Sequence, residues 1–494
     1  MTVQDSRCNA KVLRPERCVV FDGTPCAACT EDIELEKETG ELQCSDGKLQ
    51  SKRRALRTVM NENHDHFIHK FPPEIASHIF IQYAPPSVCR EKKERSTPLR
   101  LGAVCRKWRQ LAWATPQLWS SLVVEFKAPG EHLPQLIAEW LERSGSLPLT
   151  IRFNHPSAKQ VRGVYPEVTN ILNKHSARWY DMYLDIPADH LHHLGGSSQG
   201  NILHRLTLRH SVYNPARSKF STFSMTTKPR PTDLTLLSVG LPCVNITWNN
   251  LTVASVYDIG VDECIELIRR APLLQTLRLQ EIDTSSGVFP VPNTRIVHPH
   301  LHSLELWGVR TESFFFRILD SLCLPSLEQW LHHDCPLLLK TMISFVGYLS
   351  CLKIFKINID YLNSHRVIQF LSHLSSLESL ELRTNYPEHY TLGEINPFEV
   401  LLDMLVYPTQ SLLFLPRLQS LEFACRSPFP WKYLPQIFTS SRWRSLRVKV
   451  YTCRRDIVDK TAKLVPELVD MVDKGFDLSI GEIGASQEYD NWGY

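Results

Sequence analysis

Apolar residues recur at helical spacing in two short segments of the chain's first third. The first segment begins at Pro72-Pro73, because proline is favoured in the first turn of a helix, where its missing N–H is not needed. The pattern stops at Ala84-Pro85-Pro86, which predicts one helix between the two proline pairs. Its apolar positions are Ile75, Ala76, Ile79, Phe80 and Tyr83.

The second segment predicts a single longer helix with charged residues on its other faces. Its apolar positions fall at steps of three and four: Leu101, Val104, Cys105, Trp108, Leu111 and Ala112. A break at Thr115-Pro116 ends it, and more apolar residues follow at Leu118, Trp119, Leu122 and Val123. So short a module cannot bury two tryptophans and this much aliphatic surface within itself. It is therefore predicted to pack on a partner, either the downstream domain or another chain.

The second half of the chain repeats the pattern L-x-x-L-x-L, with large apolar residues allowed at each anchor. The anchors are Trp179, Met182, Leu184; Leu203, Leu206, Leu208; Leu234, Leu237, Val239; Trp248, Leu251, Val253; Leu274, Leu277, Leu279; Leu301, Leu304, Leu306; Leu327, Trp330; Leu352, Phe355, Ile357; Leu377, Leu380, Leu382; Leu418, Leu421, Phe423; and Trp443, Leu446, Val448. From Leu274 onward most first anchors recur at a spacing of roughly 25 residues, within the period of roughly 20 to 29 residues of a leucine-rich repeat. Each unit therefore predicts a strand plus a helix or turn in a curved solenoid.

Two places interrupt this repeat. The step from Leu203 to Leu234 is longer than the others and the step from Leu234 to Trp248 is shorter, so the third unit is irregular. The step from Leu377 to Leu418 is also long, and it contains an apolar, helix-like insert at residues 398–406.

Residues between the anchors are predicted to line the concave face of the solenoid, because side chains alternate across a strand. Seven of them are candidates for binding a target protein: Arg278, Glu305, Trp307, Lys356, Glu381, Arg383 and Arg447. Trp307 stands at a polar position, and tryptophan is enriched at interface hot spots. A solvated surface of mixed charge is the alternative interpretation.

Composition narrows the class of protein. The chain has 494 residues, 43% of them hydrophobic. Its net charge is only +3, so it has no strong overall positive potential that would favour binding to nucleic acid. No apolar run approaches the length of about 18 residues that a bilayer span needs, and the N-terminus lacks a secretory signal. These features predict an intracellular protein, cytoplasmic or nuclear, whose cysteines are reduced thiols.

The polar tail of residues 1–66 offers two candidate features. Leucines recur every seven residues at Leu35, Leu42, Leu49 and Leu56, which favours either one seam of a dimerising helix or a frayed, solvated helix. Cys26 and Cys29 have the spacing of a zinc half-site, but a second matched pair is lacking, so ordinary thiols are the preferred interpretation and no metal is predicted.

Catalytic motifs are weak. Residues 196–200 match G-x-S-x-G around Ser198, with His190, His192 and His193 nearby, but that motif needs a strand before it and a helix after it. No phosphate-binding loop, HExxH motif or dinucleotide fingerprint is present. We therefore expect no catalytic residue and no cofactor, with a serine hydrolase as a distant alternative.

The segment from Phe71 to Trp119 resembles an F-box, in the version abundant in mushroom-forming fungi. The resemblance rests on four sub-motifs in order, at residues 71–75, 79–80, 101–112 and 116–119. It implies binding to a Skp-type adaptor, which links the F-box to a cullin-based ubiquitin ligase. The residues that the resemblance assigns to this contact or its supporting core are Pro72, Ile75, Ile79, Leu101, Val104, Cys105, Trp108, Leu111 and Trp119. Phe71 replaces the usual leucine, and the loop from Ala84 to Thr97 is long, which puts the adaptor geometry in question.

The resemblance extends less specifically over the repeats, notably at residues 262–268 and 475–480, and so covers about residues 67–485. It implies an α/β chain with a polar tail at 1–66, an F-box at 67–123, a leucine-rich-repeat-like solenoid at 145–485 and a short tail at 486–494. The implied function is the substrate-recognition subunit of a Skp–cullin–F-box ubiquitin ligase, with an unknown target protein. A non-ligase interaction scaffold is the alternative.

Overall fold

The computed structural model describes residues 27–41, 47–64, 71–83, 97–125, 132–154, 165–196, 200–210, 221–282, 284–290, 292–358, 364–384, 397–406, 414–425, 429–439, 443, 445–452 and 470–482. The fold is mixed α/β, with helices and a large parallel sheet whose strands follow one another in chain order. The chain divides into two compact units, residues 1–182 and 183–494.

The first unit opens with two helices, α1 (Ala27–Glu41) and α2 (Gly47–His64), that pack on each other. Arg53 Nε donates to the Asp32 carboxylate at 3.0 Å. In one continuous helix these two residues would be separated by about 31 Å. The seven-residue leucine spacing therefore does not form a single seam, because the helices lie side by side. Leu42 lies outside the described residues.

Three more helices and a turn follow in the first unit. They are α3 (Pro73–Tyr83), α4 (Thr97–Val104), α5 (Arg106–Trp113) and a 3-10 turn (Pro116–Trp119). The helix predicted between the two proline pairs corresponds to α3. The charged part of the loop before α4, residues 90–95, lies outside the described residues.

The prediction of one helix from Leu101 to Ala112 is wrong, because the chain breaks at Cys105. The backbone there is extended, with φ −156° and ψ 173°. Cys105 Sγ accepts a hydrogen bond from the Trp108 N–H at 3.4 Å, so Cys105 caps the start of α5. Apolar spacing did not reveal the break, since residues on both sides of it still pack inward.

The rest of the first unit places apolar strands and helices after the turn. The elements are β1 (Ser121–Glu125), α6 (Leu133–Arg143), β2 (Leu149–Asn154), α7 (Tyr165–Lys174) and the start of β3 (Trp179–Asp185). β1 and β2 pair in parallel, with Leu122 opposite Ile151 and Val124 opposite Phe153. All four side chains are buried, as are Ile137 and Leu141 of α6.

The second unit alternates strands with helices or turns. Its strands are β4 (Arg205–Arg209), β5 (Phe223–Ser224), β6 (Asp233–Leu237), β7 (Val244–Asn245), β8 (Val253–Tyr257), β9 (Thr276–Gln280), β10 (Ile296–Val297), β11 (Ser303–Trp307), β12 (Leu322–Cys323), β13 (Gln329–His333), β14 (Ile354–Asn358), β15 (Ser379–Thr384), β16 (Ser420–Cys425), β17 (Arg447–Thr452) and β18 (Leu478–Glu482). Its helices are α8 (Val261–Arg270), α9 (Glu312–Asp320), α10 (Leu339–Val346), α11 (Ser364–Leu371), α12 (Pro397–Val406) and α13 (Leu434–Thr439).

Equivalent residues of neighbouring strands lie opposite one another. In the continuous sheet from β9 to β17, α12 occupies the one long connection, between β15 and β16. One inward row runs through Leu277, Leu304, Trp330, Phe355, Leu380, Leu421 and Val448. All seven side chains are fully buried, so the anchor pattern defines one continuous core.

The anchors were misplaced at three strands. In β6 the inward residues are Leu234 and Leu236, and Leu237 lies on the other face. In β8 they are Ala254 and Val256 rather than Trp248, Leu251 and Val253; Leu251 is buried just before the strand. In β17 they are Val448 and Val450. The pattern failed because it favoured large apolar residues, whereas a pleated strand buries every second residue, including a small one such as Ala254.

The residues that directly follow five strands adopt a left-handed backbone. They are Ser238, Asp258, Glu281, Gly308 and Asp334, with φ between 48° and 61°. In this conformation the Glu281 N–H reaches the Trp307 carbonyl at 2.8 Å, and the Gly308 N–H reaches the His333 carbonyl at 3.0 Å. A side-chain carbon at Gly308 would lie 2.6 Å from a Glu281 carboxylate oxygen, so any other residue there would require the Glu281 side chain to move in addition to adopting the left-handed backbone.

Two acidic residues of α8 hold neighbouring loops in place. Asp262 is 2% exposed and accepts hydrogen bonds from Ser286 N–H and O–H, at 2.7 and 2.6 Å, and from the N–H groups of Val288 and Phe289. Burial alone would raise the pKa of Asp262, but the hydrogen bonds from Ser286 and Phe289 outweigh it and lower the pKa. Glu263 accepts from the Gly260 and Leu241 N–H groups at 2.9 and 2.8 Å. The acidic pair thus has a structural role.

Candidate functional site

Helix α3 is apolar on two neighbouring sides. Ala76 and Phe80 are buried, and the Phe80 ring lies 4.8 Å from the Trp108 ring of α5. The second side is open to solvent. It is formed by Ile75, Ile79 and Tyr83, at four-residue steps, and by Phe71 just before the helix; in chain order from Phe71, the four exposed fractions are 42%, 48%, 37% and 66%. We call these four residues the α3 face. A helix that keeps apolar residues on its solvent side presents a contact surface.

The nine residues assigned to adaptor contact fall into three groups. Pro72, Ile75, Ile79 and Val104 are exposed. Cys105, Trp108 and Leu111 are half-buried. Leu101 and Trp119 are buried inside the unit, at 4% and 0% exposure, so they support the helices and cannot touch another chain.

Trp119 belongs to an aromatic cluster that the unit closes by itself. Its ring lies 5.3 Å from Trp113 and 4.8 Å from Trp140 of α6, and its Nε1–H donates to the Ala112 carbonyl at 2.7 Å. The Arg143 guanidinium lies over both the Trp113 and Trp119 rings, at 4.7 and 4.8 Å. The downstream helix α6 therefore covers the tryptophans, whereas the α3 face stays exposed. Sequence reasoning missed Trp140 and Arg143, although their three-residue spacing on a helix was a usable signal.

The outward side chains of β9 to β17 form a second surface, which we call the strand face. One row of register partners runs through Arg278, Glu305, Leu331, Lys356, Glu381, Glu422 and Lys449. A second row lies two residues further along each strand. It contains Gln280, Trp307, His333, Asn358, Arg383, Ala424 and Tyr451. Sequence reasoning did not assign Leu331 and His333 of β13 to this face, because the repeat pattern is incomplete there.

Charged residues on the strand face neutralise one another. Arg278 Nε lies 3.1 Å from a Glu305 carboxylate oxygen, and Lys356 Nζ lies 2.9 Å from Glu381. Arg383 also pairs with Glu381, which is 5% exposed. Burial raises the pKa of Glu422, and the neighbouring carboxylate of Glu381 raises it further, while Lys449 opposes both.

Trp307 is half-buried and packs flat against His333. The ring centroids are 3.9 Å apart and the planes differ by 12°. The Asn358 amide donates to His333 Nε2 at 3.1 Å, and a carboxylate oxygen of Asp334 lies 3.6 Å from His333 Nδ1. Burial lowers the pKa of His333, Asp334 opposes this, and Arg383 adds to it. This stack gives the strand face an aromatic centre.

The seven target-binding candidates all lie on the strand face. Arg278, Trp307, Lys356 and Arg383 are half-buried, Glu305 and Glu381 are buried by their neighbours, and Arg447 is exposed. The structure thus places six of them on strands β9 to β15. Arg447 lies further along and pairs with Asp477 at 2.6 Å.

The esterase-like motif lacks the flanking elements that it requires. Ser198 lies outside the described residues, but a 3-10 turn (Ala188–His193) precedes it and β4 follows. A nucleophile elbow needs a strand before the serine and a helix after it. Cys26 also lies outside the described residues. Within the parts of the chain that the structure describes, no three His, Cys, Asp or Glu side chains are placed to hold a metal ion.

The chain matches no protein-family model. It also matches no curated protein sequence. None of the helices that the structure describes has the length and apolar character needed to cross a membrane.

Proposed function

We propose that this chain is the substrate-recognition subunit of a Skp–cullin–F-box ubiquitin ligase. Residues 67–123 would form the F-box that docks a Skp-type adaptor. Residues 145–485 would form a leucine-rich-repeat-like solenoid that binds the target protein. The observation that carries the proposal is the exposed α3 face.

The α3 face supports docking because its apolar residues are grouped on one helix and the residue just before it. Ile75, Ile79 and Tyr83 each lie one turn of α3 from the next, and Phe71 precedes the helix by two residues. Scattered exposed apolar residues are normal on a protein, but a continuous apolar row marks an interaction site. Val104, 52% exposed at the end of α4, adds an apolar residue from a second helix that the resemblance also assigns to the contact.

The contrast with Trp119 strengthens this interpretation. The same short segment buries Trp119 completely against α6, so the chain has material to cover apolar surface where it is needed. Leaving the α3 face open costs free energy in the isolated chain, because apolar surface in contact with water is unfavourable. A partner that covers the face recovers this free energy.

The second unit supports a target-binding solenoid by its regularity. Parallel strands in chain order, recurring with a period of roughly 25 residues, are typical of leucine-rich repeats. Solenoids of this kind use their extended strand surface for binding. The Trp307–His333 stack, rimmed by ion pairs, has the apolar centre and polar surround of an interface.

The proposed role needs no catalytic group in this chain. Holding a target near a ubiquitin-carrying enzyme raises the effective concentration of the reacting groups, and the partners supply the chemistry. An interaction scaffold without ligase function would use the strand face in the same way but would not bind the adaptor.

Binding of the purified full chain to a Skp-type adaptor tests the proposal. The double substitution Ile75→Asp with Ile79→Asp places two charges in the contact, and we expect affinity to fall at least about 100-fold. Both side chains are exposed, so folding should not change. Leu136→Asp is the matched control, because Leu136 of α6 is 40% exposed on the same unit but lies outside the α3 face.

Circular dichroism and the urea midpoint should be the same for both variants and the wild type. A wild-type chain that does not bind the adaptor at micromolar concentration would exclude the ligase role and leave the scaffold. Equal affinity of the double variant and the wild type would show that the α3 face is not the contact.

A further inference from the structure

Strand β13 carries two adjacent histidines, one on each side of the sheet. His332 points into the core, between Leu306 of β11 and Ile357 of β14, and is fully buried. His333 lies on the strand face, stacked on Trp307. Every other described strand of the continuous sheet from β9 to β17 has an aliphatic or phenylalanine side chain at the position of His332.

The surroundings of His332 do not stabilise a positive charge. Its ring lies 5.3 Å from Phe315 of α9 and 5.9 Å from Trp330. The titratable groups beside it on the chain are His333 and Cys335, whose thiol is buried and donates to the His333 carbonyl at 3.2 Å. The charged residues of the helices on either side are exposed to solvent: Glu312, Arg317, Asp320 and Lys340.

The neutral form of His332 is therefore favoured in the folded sheet. Burial lowers its pKa to about 3, against a smaller opposing effect of the Cys335 backbone. In an opened strand the imidazole would regain its ordinary pKa of about 6.5. Above that value neither state is protonated and the closed strand keeps its full stability. Below it only the open state takes up the proton, so the closed strand loses stability as the pH falls.

His333 responds in the same direction by a different contact. Its Nε2 accepts the hydrogen bond from Asn358, and a protonated ring has no lone pair to accept it. Asp334, 3.6 Å away, favours the charged ring, whereas Arg383 of β15 disfavours it. Protonation of His333 therefore breaks its hydrogen bond with Asn358 of β14.

We propose that β13 is an acid-sensitive seam of the sheet, at which proton uptake by His332 and His333 opens the strand and dismantles the Trp307 stack. The seam lies beneath the Trp307–His333 stack, so binding of a target at that stack, which rests on the proposed function, should weaken as the pH falls. This inference concerns the second unit alone. It does not depend on adaptor binding.

Hydrogen exchange of the full chain measures the opening. Wild type and His332→Leu are compared at about pH 7.5, 6.5, 5.5 and 4.5, using peptides that cover Gln329–His333. Dividing the two exchange rates of the same amides at one pH removes the intrinsic pH dependence. The ratio of wild type to variant should be constant above about pH 6.5 and should rise about tenfold for each unit below it.

Three controls keep the test specific. His300→Leu removes an exposed histidine close to β11 and should exchange like the wild type. Peptides from β2 of the first unit should give the same ratio at every pH. His333→Gln keeps an acceptor for the Asn358 amide without a titrating ring, and should keep more protection in acid than the wild type while keeping the rise caused by His332.

A direct titration covers the case in which His332→Leu packs poorly. The imidazole of His332 in the wild type, followed by NMR, should show no titration above about pH 4.5 while the sheet stays closed. An ordinary titration at about pH 6.5 without opening would overturn the proposal. A constant exchange ratio across the whole pH range would overturn it equally.

Discussion

The α3 face and the strand face both contact solvent, but their side chains differ in the contacts that they make within the chain. On the α3 face, the apolar residues Ile75 and Ile79 are 48% and 37% exposed to water. On the strand face, Lys356, Glu381 and Arg383 already pair with one another. A partner of the α3 face removes apolar surface from water, whereas a partner of the strand face must compete with ion pairs that the chain makes itself.

This difference predicts two kinds of interface. Burial of apolar surface gives affinity roughly in proportion to the area removed from water. Charged networks give selectivity more than affinity, because each exchanged ion pair gains little unless the geometry fits. Under the proposed function, the α3 face would supply affinity for the adaptor and the strand face would supply selectivity between targets.

The largest expected effect is on the free energy of unfolding, when a buried apolar residue of the first unit is replaced rather than an exposed one. Trp119→Ala should lower the free energy of unfolding by about 3 to 5 kcal/mol, because it removes a fully buried ring and its hydrogen bond to Ala112. Ile75→Ser should change it by less than about 0.5 kcal/mol. Urea unfolding followed by tryptophan fluorescence measures both. Similar losses in the two variants would mean that α3 packs on both sides.

The next effect concerns the loop that Asp262 holds. Asp262→Asn keeps the shape but loses the charge that accepts hydrogen bonds from Ser286, Val288 and Phe289, so we expect a loss of about 2 kcal/mol at neutral pH. The pKa of Asp262 is lowered in the folded chain, so its contribution is present above the unfolded pKa of about 3.9 and is lost as the pH falls below it. Denaturation of both proteins should therefore give a difference at about pH 7 that shrinks towards about pH 3. A difference independent of pH would contradict the role of the charge.

A smaller effect measures the pairing on the strand face. Lys356→Met, Glu381→Gln and the double variant form a cycle, and the coupling between the two residues should be about 1 kcal/mol. Glu381 keeps Arg383 as a partner in Lys356→Met, which limits the loss. Chemical unfolding at low and high salt gives the coupling energy. A coupling energy near zero at low salt would mean that the Lys356–Glu381 ion pair does not stabilise the chain, so that a bound protein could replace either partner at little cost.

The smallest effect is expected at the end of the strand face. Arg447→Ala removes one side of an ion pair with Asp477 in which both side chains are more than half exposed. The thermal midpoint should not change measurably, since exposed pairs contribute little. A clear decrease would show that the pair anchors β17 to the segment before β18.

The sequence predicted α3, α12 and most strands of the second unit close to their observed positions. It assigned the wrong inward residues at β6, β8 and β17, because the register of a strand depends on which of its faces meets the core. A small residue such as Ala254 can be buried there, although its low hydrophobicity does not mark it in the sequence. The sequence prediction also missed the break at Cys105, because a capped break between two helices keeps the same apolar spacing on both sides.

For the candidate sites, strand periodicity assigned Trp307 to the face opposite the core, because side chains alternate across a strand. Apolar spacing marked the apolar positions of α3 but did not show that Ala76 and Phe80 are buried while Ile75 and Ile79 are exposed. The sequence alone could not place Trp140 and Arg143 over Trp119, or His333 against Trp307, because these pairs join residues of different elements that are distant in the chain. The period of a helix or strand determines only which face of its own element each residue occupies. Only the packing of elements decides which outward side chains stay open, which pair with one another, and which, like Trp119, end up sealed inside.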